Sequence, residues 1–318
     1  MKSIVTGAAG FIGSNLALRL LERGEEVIGI DSLTDYYSPL EKLERIRILE
    51  THGGFTFQQQ DICAADLHAL MDGASVIYHQ AGQPGVRKSW GREFGEYIER
   101  NIDATQKLLE AARQSKTLGK FVYASSSSIY GNARSYPTSE QTIPQPVSPY
   151  GVTKLAAEHL CSLYAANFEV PTVSLRYFTA YGPGQRPDMA FRRFISAALQ
   201  GRAIDVFGDG SQTRDFTFVD DVAEANIAAA QTDLEPGAIF NVASGNTISV
   251  NEVLDIIQGV IGETLDIRRS APVYGDVDRT CGDGSEIMRR TDWRPGVTVE
   301  EGLTRQVAWQ RENIDKGP

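Results

Sequence analysis

Through the first half of the chain, short runs of β-branched and aromatic residues alternate with longer amphipathic stretches. Residues 2–6, 27–31, 54–58, 74–80, 120–125 and 172–177 read as strands, because each is a short apolar run bounded by turn residues. Residues 11–23 read as a helix, with Ile12, Leu16, Leu20 and Leu21 on one side; 101–116 and 150–167 carry two more. Strands alternating with helices imply βαβ units, hence an α/β fold with a parallel sheet covered on both faces. After Tyr177 the alternation weakens. There, 181–188 is loop-like, 191–200, 222–232 and 249–261 read as helices, and 204–207, 216–219 and 239–242 as short strands. The pattern predicts one unit over 1–178 and a smaller mixed α/β lobe over 179–318, with about 215–243 returning to the first unit. Such a lobe sits over the carboxyl ends of the strands, where open α/β sheets place ligands.

Composition narrows the function. With 318 residues, 42% of them apolar and 23% charged, the chain has the ordinary globular balance. It lacks the apolar run of about 18 residues that a spanning helix needs. Its start runs directly into a short strand and a glycine turn, without the apolar stretch of a secretory signal, so the expected location is the cytoplasm. Cys63, Cys161 and Cys281 show neither disulfide-framework nor metal spacing, which fits a reducing compartment. His52, His68, His79 and His159 form no HxxxH or HExxH pattern, so no metal site is expected. A net charge of −10 argues against general nucleic-acid binding, though it permits a phosphate-bearing ligand in a local positive pocket.

Two segments carry candidate chemistry. Gly7, Gly10 and Gly13, in TGAAGFIG, follow a strand and open a helix at Phe11 and Ile12. Glycines so placed allow a tight turn and close approach of backbone to a pyrophosphate, which the helix N-terminus then holds. The next strand ends in Asp31, suited to the adenosine ribose hydroxyls and repulsive to a 2′-phosphate, which favours NAD over NADP. Tyr150 and Lys154, in SPYGVTK, lie at i and i+4 of a helix that Ser148 caps and Pro149 opens. A free phenol titrates near ~10 and is a poor base at neutral pH; an ammonium beside it and a positive nicotinamide ring favour the phenolate. The spacing alone decides nothing, since such pairs are common on solvated helices. The serine run at 125–128 adds weight, because it ends an apolar strand, where hydroxyls face the ligand crevice.

Taken with SSSSIYG, RYFTAYGPGQRPDMAF and GDGSQTRDFTFVDD, these motifs resemble the extended short-chain dehydrogenases/reductases. More narrowly, they resemble the NAD-dependent sugar-nucleotide epimerases and dehydratases, from Lys2 to the C-terminal region. The resemblance implies a Rossmann-type doubly wound sheet, bound NAD, a UDP-sugar substrate and a homodimer. It implies that Ser126 hydrogen-bonds the sugar O4, Tyr150 is the base and Lys154 binds the nicotinamide ribose. Asp61 and Ile62 then lie by the adenine, Gln80, Ala81 and Gly82 along the cofactor, and Asn101 supports the lysine. Dehydratases of the family place Asp-Glu after the catalytic threonine, and decarboxylating members a Glu two residues after the hydroxyl. Ser127 and Ser128 stand there instead, which favours simple 4-epimerisation.

Gly85-Val86-Arg87 and Arg186-Pro187-Asp188-Met189 resemble elements of UDP-glucuronate 4-epimerases, and Thr179 stands where UDP-glucose epimerases usually carry Asn. The hydroxyls of Ser126, Ser127, Ser128 and Thr179 suit a sugar carboxylate. Arg214 resembles the family's diphosphate-binding arginine, with Arg279 and Arg192 as further candidates; the segment Val273-Tyr274-Gly275-Asp276 departs from the family pattern. A UDP-hexose 4-epimerase, a UDP-glucuronate decarboxylase and a catalytically silent NAD sensor remain as alternatives. Trp90, Trp293 and Trp309 read as packing residues, and Phe216 and Phe218 as core.

Overall fold

The computed structural model describes residues 1–271, 277 and 279–313, so the departure at Val273-Tyr274-Gly275-Asp276 lies outside the described residues. In chain order the first elements are β1 (Lys2–Thr6), α1 (Phe11–Glu22), β2 (Glu26–Asp31), α2 (Pro39–Glu50), β3 (Phe55–Gln59), α3 (Leu67–Met71) and β4 (Val76–His79). Next come α4 (Phe94–Tyr97), α5 (Ala104–Gln114), β5 (Lys120–Ser126), α6 (Pro149–Phe168), β6 (Thr172–Tyr177) and β7 (Thr179–Tyr181). The rest comprises α7 (Ala190–Leu199), β8 (Ile204–Phe207), β9 (Thr213–Phe218), α8 (Val219–Gln231), β10 (Ala238–Val242) and β11 (Thr247–Ser249). It ends with α9 (Val250–Ile261), β12 (Ile267–Ser270), α10 (Ser285–Arg290) and α11 (Val299–Asn313).

Seven strands form one parallel sheet in the order β10-β6-β5-β4-β1-β2-β3. The order reverses beside β1, which opens the crevice that a doubly wound sheet offers a dinucleotide. Alternation of side chains builds two cores. Along β5, Phe121 and Tyr123 pack with Leu108, Leu109 and Ala157 of the α5/α6 layer. Val122 and Ala124 face the opposite core, with Leu16 and Leu20 of α1 and Val222 of α8. Both faces are covered, so these strands read as unbroken apolar runs.

A third core gathers Tyr181, Phe191, Phe194, Phe216, Phe218, Val253, Ile257, Leu303 and Val307. Two small sheets frame this lobe, β11-β9-β7 and β12-β8. The strand expected at 216–219 starts earlier, at Thr213, and pairs with β7 and β11 rather than with the large sheet. From the same stretch, α8 packs on α1 and β10 extends the large sheet next to β6. The helix expected over 101–116 begins as a π-helical stretch, Ile98–Asp103, and becomes α-helical only at Ala104. Trp293 is buried and donates to the Asp221 carbonyl at 2.8 Å. Trp90 departs from the packing expectation, being 60% exposed.

Candidate active site

The cleft at the sheet's carboxyl edge runs from Asp31, Asp61 and Ile62, past the glycine turn, to Tyr150, Lys154 and Arg186. Gly7, Gly10, Phe11, Ile12, Gly13, Gln80, Ala81 and Gly82 line its middle. The turn is as tight as the sequence implied. A Cβ on Gly13 would lie 2.1 Å from the Gly7 carbonyl oxygen, and Gly7, at φ +68°, has Ala81 N within 2.8 Å of its would-be Cβ. Asp31 is fixed by backbone, with Oδ2 accepting from Ala9 N at 3.1 Å and Oδ1 from Leu33 N at 2.8 Å. Opposite it, Lys42 lines the same end, buried and donating to the Thr34 carbonyl at 2.7 Å; the sequence reading missed it. The backbone cradle and the carboxylate at one end of an elongated cleft fit a dinucleotide.

Tyr150 and Lys154 project from the first two turns of α6, whose N-cap Ser148 accepts from Gly151 N at 3.1 Å. Gly151 lets that turn abut the serine segment, since a Cβ there would meet the Ser128 carbonyl at 2.6 Å. Ser126 closes β5, its hydroxyl accepts from Ser128 N at 3.1 Å, and it lies near enough to Tyr150 to favour the phenolate. Burial raises the Tyr150 phenol above its ordinary value, while the Ser126 hydroxyl and the Arg186 charge pull it down. The Lys154 ammonium lies 4.5 Å from the Tyr123 ring centroid, and burial brings it down to about 8.

Asn101 sits on the π-helical stretch, where wide turns recur at functional sites. It accepts from Gln83 N at 2.7 Å and donates to Thr153 Oγ1 at 3.0 Å, tying the cofactor strand's loop to α6. His79 is buried between Thr6 Oγ1 (2.8 Å) and Thr105 Oγ1 (2.9 Å), and burial pushes it down to about 3, so it stays neutral. Among the described residues no cluster of His, Cys, Asp or Glu suits a metal ion. Nor is any described helix long and apolar enough to cross a membrane.

The arginines divide. Arg214 lies in β9, and a parallel bridge between Thr213 and Arg279 brings Arg279 alongside it. Arg87 stacks over Phe207 at 5.1 Å, at the end of β8. Arg186 reaches the cleft beside Tyr150, held by Asp188 through bonds of 3.0 and 2.9 Å. Thr179 opens β7, two residues after the end of β6 beside Ser126. Arg192 goes elsewhere. Its guanidinium forks onto Glu41 at 2.7 and 2.9 Å and stacks over Trp309 at 5.4 Å, in a separate groove between α1, α2 and α11. A carboxylate that satisfies a bidentate guanidinium leaves it little to offer a phosphate.

The family's sequence profile for NAD dependent epimerase/dehydratase proteins matches residues 3–243. The chain belongs to the NAD-dependent epimerase/dehydratase family. Among members of this epimerase/dehydratase family, a Bacillus subtilis protein named as an uncharacterized UDP-glucose epimerase is 41% identical over 313 residues, covering 97% of this chain and 98% of that one. A UDP-glucuronate 4-epimerase of Thermodesulfobacterium geofontis is 37% identical over 320 residues, covering 98% and 97%. The crystal structure of UDP-glucuronic acid 4-epimerase from Bacillus cereus in complex with UDP-glucuronic acid and NAD superposes with a TM-score of 0.94, at 41% identity, covering 98% and 99%.

Proposed function

We propose that this chain is an NAD-dependent 4-epimerase that interconverts UDP-glucuronate and UDP-galacturonate. One observation carries the reaction type. The only carboxylates lining the cleft among the described residues are Asp31 and Asp61, at its adenosine end, and none stands beside Tyr150. Elimination needs an acid or base there, whereas moving a hydride off C4 and back does not; loss of CO2 from the 4-ketose is opposed instead by how its carboxylate is held.

In this reading Tyr150, as phenolate, takes the proton from the sugar O4 through or beside Ser126, and returns it after the 4-ketose has turned over. Bound NAD, cradled by Gly7, Gly10, Phe11, Ile12 and Gly13 and flanked by Asp31, Asp61, Ile62, Gln80, Ala81 and Gly82, takes up the C4 hydride and gives it back to the opposite face. Lys154 holds positive charge under the phenolate. Arg214, Arg279 and Arg87 bind the diphosphate end. The uronate carboxylate hangs from C5, next to C4, and in this reading Arg186, Thr179 and the hydroxyls of Ser126, Ser127 and Ser128 hold it. A 4-keto uronate is a β-keto acid, so a firm hold on its carboxylate away from the decarboxylation geometry protects the intermediate. Residues 1–178, with α8 and β10 returning to the large sheet, serve as the NAD-binding unit, and the remainder of 179–318, β9 included, as the sugar-nucleotide lobe.

Incubating the purified protein with UDP-glucuronate, without added cofactor, is the test. Epimer visible by NMR supports both substrate and retained NAD. Faster turnover of UDP-glucose or a UDP-N-acetylhexosamine replaces the substrate, and release of CO2 replaces the reaction. We infer further that the protein works as a cytosolic homodimer. Exposed Ile98, Val152 and Leu163 suit a helical seam, and all three cysteines are free thiols. Light scattering checks the dimer.

A further inference from the structure

Behind the catalytic serines lies a charged pair that the reaction does not obviously need. Glu158 stands one helical turn beyond Lys154 on α6 and is 1% exposed; Arg176, in β6, is 4% exposed. Glu158 Oε1 accepts from Arg176 Nη2 at 2.7 Å, and Oε2 accepts from Arg176 Nε at 3.0 Å and from Ser125 Oγ at 2.6 Å. Arg176 Nη1 also donates to the Tyr130 hydroxyl at 2.6 Å and to the Glu140 carbonyl at 3.2 Å. Well-packed apolar residues usually replace a buried ion pair at no loss of stability, so stability alone gives no reason for this one.

Its location gives a reason. Ser125 immediately precedes Ser126 at the end of β5, and β6, the strand beside it, carries Tyr177, which lines the cleft. We propose that Glu158 is a positioning residue of the active site, whose bonds to Ser125 and Arg176 clamp the strand end bearing Ser126 against the helix bearing Tyr150, and whose carboxylate supplies negative charge to the buried Lys154 ammonium. The clamp sets the distance from Ser126 to Tyr150, and reacting groups misplaced by about 1 Å lose about 10²-fold in rate.

The charge sets how far into alkali Lys154 keeps its proton. Glu158 favours the ammonium that burial disfavours. Of the other groups facing Lys154, the Tyr150 phenolate of the working enzyme also carries negative charge, but it is common to wild type and variants; the rest supply none. His79 is neutral, Tyr123 contributes a ring face, and burial keeps the Cys161 thiol and the Tyr123 phenol protonated. Around Glu158 itself stand Arg176, with Tyr130 and Glu140 behind it.

The proposal rests on Tyr150 and Lys154 being the catalytic pair. Wild-type turnover of UDP-glucuronate therefore comes first: its absence overturns that reading and not this clamp. The test compares kcat, KM and the pH profile of the holoenzyme in Glu158→Gln, Ser125→Ala and the double variant Glu158→Gln/Arg176→Met, which leaves no buried charge unpaired. Circular dichroism confirms folding, and the double variant stands in if Glu158→Gln does not fold. Expected in both charge variants is a loss of kcat on the order of 10- to 100-fold with KM little changed; the alkaline limb moves to lower pH in Glu158→Gln, and less in the double variant, which removes a charge of each sign. Ser125→Ala keeps both charges, so kcat falls while the limb stays. A folded Glu158→Gln with its limb in the wild-type position overturns the electrostatic role, because a merely structural defect lowers kcat without moving the limb. An unchanged kcat in Ser125→Ala overturns the clamp.

Discussion

Replacing Lys154 by methionine is expected to abolish turnover and to make the NAD-free protein more stable. In the fold this ammonium is buried, and its value falls from the ordinary 10.5 to about 8. At roughly 1.4 kcal/mol per pH unit, the folded state bears a cost of about 3 kcal/mol for keeping the proton. Contact with the Tyr123 face, 4.5 Å away, offsets this by about 1–2 kcal/mol, leaving a net gain of about 1–2 kcal/mol for the methionine variant. The sign follows from proton binding. Between pH 8 and 10.5 the unfolded chain holds this proton and the folded chain does not, so the cost is full below about 8 and vanishes as pH rises through that window. Urea unfolding of NAD-free wild type and Lys154→Met at pH 7, and at steps from pH 8 to 10.5, reads both effects. A variant no more stable than wild type at pH 7, or a gap that does not close with rising pH, would refute the reasoning.

Other outcomes follow from the same geometry. Gly13→Ala places a methyl 2.1 Å from the Gly7 carbonyl oxygen, so the turn must open; NAD retained through purification is expected to be lost, as read by absorbance of the denatured supernatant. Arg214→Ala removes a charge-assisted contact worth about 1.5–3 kcal/mol, and KM for the sugar nucleotide should rise by roughly 10- to 100-fold in steady-state assays, whereas Arg192→Ala should leave it within about twofold. Asp31→Ala should narrow the preference for NAD over NADP, measured by titrating each into cofactor-free protein.

The sheet was legible because its strands are buried on both faces, and such strands carry unbroken apolar runs that no surface alternation blurs. The glycine turn and the Tyr150–Lys154 spacing were legible because each depends on residues close in sequence. Helix α2 was missed for an opposite reason: it buries only Lys42, Ile46 and Leu49, too thin a stripe to give a periodic signal. Helix α11 buries Gln306 and Gln310 beside Leu303 and Val307, and glutamines read as surface. Arg192 could not be sorted from Arg214 by sequence, since its partner Glu41 lies 151 positions away. The Glu158–Arg176 pair hid for a similar reason, with each member an ordinary charged residue until β6 is laid beside β5.

Between the large sheet and the three-stranded one the chain crosses three times in quick succession. Phe178 alone separates β6 from β7, nothing separates β9 from α8, and residues 243–246 join β10 to β11. Connections this short have no slack. Swinging the lobe away would require all three to bend together, so wide gaping is costly and small tilts are the accessible motion. For a ketone formed part-way through a cycle, with no covalent tether to the protein, that stiffness acts as a cage. A 4-ketose must then turn over within a cleft that tilts but does not gape, and escape of a sugar nucleotide from it is slowed for the same reason.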